Sequence, residues 1–141
     1  MPTGNRLPGG WDSAVPLSAE IFTAFIPLFH KLDRIEKAVV QGLWKRRSDP
    51  PSAASVTVAR AILDRLQANG FCPSGVTPSA EGGVGIYFDR ALRYADIEVL
   101  NSGKVLGVVS NKSGSVTAFE VHPSREGHDK AINLIRAFLA S

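Results

Sequence analysis

Between Val76 and Val121 the chain breaks into short runs of β-forming residues, each closed by a turn signal. This punctuation constrains the fold more than any other feature. Residues 84–89 (VGIYFD) put Val84, Ile86 and Phe88 on one face and Gly85, Tyr87 and Asp89 on the other. Before them, Glu81-Gly82-Gly83 makes a turn that needs positive φ. Residues 95–101 alternate likewise, with Ala95, Ile97 and Val99 opposing Asp96, Glu98 and Leu100. Asn101-Ser102-Gly103 then turns into residues 104–110, which are apolar on both faces at Val105, Leu106, Val108 and Val109. Such a strand is central, or covered on its second side. Residues 111–115 turn again into a strand at 116–121, and a short strand at 76–79 leads the series in. Strands joined by turns this short pair as antiparallel neighbours.

Helical patterns flank this block. Ser18 is the expected cap of a long first helix, with apolar residues at Phe22, Phe25, Phe29, Leu32, Ile35, Val39 and Leu43 along one face. Pro27 should kink that helix or mark its first turn. The segment RRSDPPS at 46–52 is a break, because consecutive prolines push their predecessors into extended geometry. A second helix is expected from about Ser52 to Asn69, buried through Val56, Ala59, Ile62, Leu63 and Leu66 and stopped at Asn69-Gly70. A last helix follows Pro123-Ser124 and carries Ala131, Ile132, Leu134, Ile135, Phe138 and Leu139. The order predicts an α+β fold: an antiparallel β-meander of four to five strands with helices packed on one face, preceded by a long N-terminal helix. The expected divisions are a loose arm at 1–16, on which Leu7 and Trp11 dock onto the body, a helical segment at 17–47 and a compact α-β-α domain at 52–141.

Bulk properties exclude several classes. With 141 residues the chain holds one domain with a sizeable core. Cys72 is the one cysteine, so neither an intramolecular disulfide nor a cysteine metal cage can form. The apolar run at 21–29 is broken by Thr23 and Pro27 and falls well short of the roughly 20 residues that cross a bilayer. The start, MPTGNRLPGGWD, lacks the basic and apolar regions of a secretory signal, and a cytoplasmic location with no membrane contact is expected. The net charge of +3 resides in residues 1–47, which hold seven Lys/Arg against four Asp/Glu.

Candidate sites are few. Asp96 and Glu98 project from one strand face, with Asp89 on a neighbouring strand, an arrangement that could hold a divalent metal for hydrolysis. A solvated sheet face accounts for these acids more simply. His30, His122 and His128 form no metal-ligand spacing, although His122 and His128 could approach around Pro123. The glycines of EGGVG run from strand to strand rather than into a helix, so they form a hairpin turn and not a phosphate cradle. Ser79 and Ser110 lack a nucleophile-elbow context, and Cys72 reads as a small buried thiol. Trp44, Lys45, Arg46 and Arg47 could stack on a base and contact phosphates, but a helix C-terminus also favours cations and a sealing Trp. Phe22, Phe25, Phe29 and Leu32 are too apolar for water, and cover either their own sheet or a partner.

Residues 44–121 resemble a set of small uncharacterised bacterial proteins through PSAEGGVGIYF followed by RYADIEVLNSGKVLGVVS. The likeness takes in the helix and meander, a little over half the chain, and omits the first forty residues. It implies no activity, cofactor or site residue. The expected function is therefore non-enzymatic, with no catalytic residue, cofactor or metal. A protein-interaction or accessory module of antitoxin or immunity type fits, meeting a protein partner or a second copy through the N-terminal helix. The alternatives are a nucleic-acid-binding module using Trp44–Arg47 and a metal-dependent hydrolase using Asp89, Asp96 and Glu98.

Overall fold

Glycine caps decide where two of the three described helices stop. The computed structural model describes residues 19–141, so the arm at 1–16, the docking of Leu7 and Trp11, and the Ser18 cap lie outside the described residues. Helix α1 spans Ala19–Val40 and runs through Pro27. Pro27 and Thr23 are both exposed, so the Thr23 carbonyl that the proline leaves without a donor can be hydrated. Gly42, at φ +68°, ends the helix. Its N–H donates to the Val39 carbonyl at 3.1 Å and that of Leu43 to Ala38 at 2.8 Å, the paired bonds of a Schellman cap. The helix therefore stops short of Leu43, which is 56% exposed and does not extend the apolar stripe. Helix α2 spans Ala53–Ala68, and the Ser52 Oγ accepts from the Ser55 N–H at 3.0 Å. Gly70, at φ +63°, closes it with a second Schellman pair.

Strands β1 (Gly75–Pro78), β2 (Gly83–Asp89), β3 (Tyr94–Leu100), β4 (Val105–Ser110) and β5 (Val116–Val121) form one antiparallel sheet in the order β1-β2-β3-β4-β5. Helix α3 spans Arg125–Ala140 and starts at Ser124, whose Oγ accepts from the Gly127 N–H at 3.0 Å. This is the α+β meander that the sequence predicts. Val84, Ile86, Phe88, Ala95, Ile97, Val99, Val105, Val109 and Val121 turn towards the helices and are buried. Against them pack Phe25 and Leu32 of α1, Ile62, Leu63 and Leu66 of α2, and Ile132 and Ile135 of α3. Strand β4 runs between β3 and β5, which agrees with its apolar residues on both faces. Its second face carries no described helix: Leu106 and Val108 are half-buried, and Ala118 beside Val108 is exposed.

Helix α1 belongs to the same core, packed on α2 and β1. Its buried stripe is Phe25, Leu28, Leu32 and Ile35, while Phe22 is 54% exposed. The partner surface expected of Phe22, Phe25, Phe29 and Leu32 is corrected accordingly. Phe25 and Leu32 are fully buried in their own chain, Phe29 packs partly against the core, and Phe22 alone of the four faces solvent. Arg60 of α2 holds α1 through Asp33 at 2.8 Å and Glu36 at 3.3 Å, and Arg65 holds α3 through both oxygens of Asp129. The Pro50-Pro51 linker is pinned to the β3–β4 turn. Asn101 accepts from the Ser52 N–H at 2.7 Å and donates to the Pro50 carbonyl at 2.9 Å. Among the described residues no helix is long and apolar enough to cross a membrane.

Candidate site on the open sheet face

Alternation along β3 sends Ala95, Ile97 and Val99 into the core and Tyr94, Asp96, Glu98 and Leu100 to the face that no described helix covers. Register then supplies their neighbours: Asp96 lies between Tyr87 and Val108, and Glu98 between Gly85 and Leu106. Gly85 is what lets Glu98 lie flat, since a Cβ there would sit 3.0 Å from its Oε2. The buried Ser79 hydroxyl donates to Glu98 Oε1 at 2.7 Å, and the Tyr94 hydroxyl donates to Asp96 Oδ2 at 3.0 Å. Asp96 Oδ1 is buried and accepts no hydrogen bond among the described residues. Thr77, Ser79, Asp96, Glu98, Leu106 and Val108 border a shallow cleft of about 380 Å³.

These contacts make Asp96 an unusual carboxyl. Burial, then the charge of Glu98, push its pKa up to about 6, against the opposing pull of the Tyr94 hydrogen bond. The Tyr94 hydroxyl is itself driven well above its ordinary range, first by burial and then by the charge of Asp96. The folded chain thus holds the Asp96 proton more tightly than an unfolded one, whose Asp titrates near ~3.9. Its contribution to stability is fully present below about pH 4 and is lost as pH rises through about 6. Asp96→Asn, which resembles the protonated form, is expected to stabilise the fold at pH 7.5 by about 1–2 kcal/mol, after allowance for partial exposure. Urea titrations at pH 4.5 and 7.5 check this: the stability gap between the two should narrow in the variant, and an unchanged gap rejects the assignment.

The other expected residues fall elsewhere. Asp89 sits at the far end of β2 and pairs with Lys112 Nζ at 2.6 Å, so it does not join Asp96 and Glu98. Among the described residues no group of three or more His, Cys, Asp or Glu side chains could hold a metal ion. His30 is exposed, His122 meets the Ser124 hydroxyl at 3.0 Å, and burial lowers the pKa of the half-buried His128. Burial also raises the Cys72 thiol, only partly countered by Arg90. Trp44 is half-buried against the core and donates to the Ser48 carbonyl at 2.9 Å. Lys45, Arg46 and Arg47 are exposed in the linker beyond α1, not on the helix itself. Two members of the site escaped sequence reasoning. Tyr94 could have been found, standing two residues before Asp96 in the same alternation. Ser79 could not, because the β1–β2 hairpin and sheet register bring it to Glu98. Comparison with known proteins returns no match to a family model, a curated protein or a solved structure.

Proposed function

We propose that this protein is a non-enzymatic protein-interaction module whose open sheet face receives a partner segment bearing a cationic side chain between apolar ones. The observation that carries the reading is the buried Oδ1 of Asp96, without a donor among the described residues, beside half-exposed Leu100, Leu106 and Val108. A buried acceptor without a donor costs about 1–3 kcal/mol, which an incoming guanidinium or ammonium group recovers. The apolar neighbours supply the contact area that a lone ion pair on a surface lacks.

Fluorescence anisotropy with labelled peptides carrying Leu-Arg-Leu, against the same peptides with Glu in place of Arg, tests this. Binding of the arginine peptides should weaken about tenfold in Asp96→Asn. It should also fade as pH falls below about 6, where Asp96 takes up a proton. Equal binding of both peptide sets, or no effect of Asp96→Asn, overturns the proposal. The exposed Lys45, Arg46 and Arg47 supply the control. Salt-dependent capture of a labelled single-stranded oligonucleotide, lost when these three become alanine, would assign the protein to nucleic acid instead.

A further inference from the structure

The two edges of the sheet are built differently. Strand β1 has four residues and ends in Pro78, which has no N–H to offer. Strand β5 has six residues, VTAFEV, with no proline and no lysine. Val116, Thr117, Ala118 and Glu120 are all exposed, and no described strand lies beyond β5.

Hydrogen-bond parity shows which β5 groups do not bond to β4. Asn111 N–H donates to the Ser115 carbonyl at 3.2 Å, and Leu100 N–H to Lys104 at 2.9 Å. Bonded and non-bonded pairs alternate in antiparallel ladders. With the register Ser110↔Val116 to Val105↔Val121, both bonds give the same result. Thr117, Phe119 and Val121 bond to β4, while Val116, Ala118 and Glu120 point their N–H and C=O groups outward.

We infer that this edge pairs with the same edge of a second copy, antiparallel and centred on Ala118, to form one continuous sheet across a twofold axis. The strand is self-complementary in that register. Ala118 faces its own copy and Val116 faces Glu120 of the partner chain, so all three outward-pointing residues bond and the seam gains roughly six hydrogen bonds. Charge selects the same register. It sets the two Glu120 carboxylates about 13 Å apart along the strands, beyond the Debye length at physiological salt. A register shifted to centre on Glu120 would oppose them directly. On the helix side, a cleft of about 270 Å³ bordered by Phe119, Val121, Ala131 and Leu134 runs along this edge. Leu134, 45% exposed in the single chain, borders the seam that a second copy closes. The inference stands on the edge alone and does not depend on what the open face binds.

Sedimentation velocity over a concentration series of the full chain tests it. The wild type should dimerise, and Ala118→Pro, which removes an outward N–H and no bond to β4, should weaken the dimer at least about tenfold with its circular dichroism unchanged. Ala118→Lys should do the same by opposing like charges. Mixing the Ala118→Lys and Ala118→Glu chains should restore a heterodimer, a result that only direct 118-to-118 opposition produces. A wild type monomeric at roughly 100 µM overturns the inference. So does a dimer that both variants leave intact, which would point to another surface such as Phe22 and Ile26. Slow amide exchange at Val116, Ala118 and Glu120 in a monomer would mean that the chain's own segment covers the edge, and overturns it as well.

Discussion

Gly83→Ala is expected to destabilise the fold by about 4 kcal/mol, read as a fall in the urea midpoint with no change in slope. Gly83 opens β2 at φ +120°, a region that residues with a Cβ avoid. A Cβ there would collide with the Val99 carbonyl oxygen and lie 2.9 Å from the Leu100 Cα. Both are backbone of the paired strand, so no rotamer change relieves the contact. The sheet must shift or the β1–β2 hairpin must open. Gly103→Ala is the matched control: its φ is +94°, yet nothing lies within 4 Å of the added carbon, so about 1 kcal/mol of backbone strain is the whole expected effect. Equal losses at the two sites would mean that the close approach of β2 to β3 is not what requires Gly83.

Phe88→Ala should cost about 3–5 kcal/mol in the same titration. Phe88 is fully buried on the helix side of β2, and its ring stacks on Phe71 with centroids 4.9 Å apart and planes 12° apart. Phe71 in turn lies under the Arg136 guanidinium, 5.3 Å from its centroid, and Arg136 donates to the Asn69 carbonyl at 3.1 Å. One ring therefore keys the sheet to the C-terminal end of α2 and to α3. Removing it leaves a cavity that Phe71 cannot fill without abandoning Arg136. Phe88→Leu, which refills most of the volume, should recover the larger part of the loss. A loss below about 1 kcal/mol for the alanine variant would show that the site collapses, contrary to this packing.

The strands and their faces were legible in the chain because side chains alternate along any extended backbone. Val84, Ile86 and Phe88, and then Ala95, Ile97 and Val99, read as core and are core. Helix α2 was equally legible, since Ser52 and Asn69-Gly70 are local capping signals that act on their own backbone. Helix α1 was less so. Its periodicity extended to Leu43 and gave no weight to Gly42, and it placed Phe22 inside and omitted Leu28. Seven apolar residues on a long helix offer more than one stripe, and packing on α2 and β1 selects among them.

Local chemistry thus settled the order of the elements, the turns between the strands and the inward faces of β2 and β3, because those depend on backbone period and on residues near in sequence. Tertiary structure alone decided that no described helix covers one sheet face, that Ser79 reaches Glu98, and that Asp89 pairs with Lys112 instead. It also left the outward groups of β5 free among the described residues. Those outcomes depend on register and layering, which join residues far apart in the chain. Burial follows from what arrives alongside a side chain and not from the side chain itself. The punctuated run from Val76 to Val121 therefore specifies a sheet, and the three described helices all pack on one side of it.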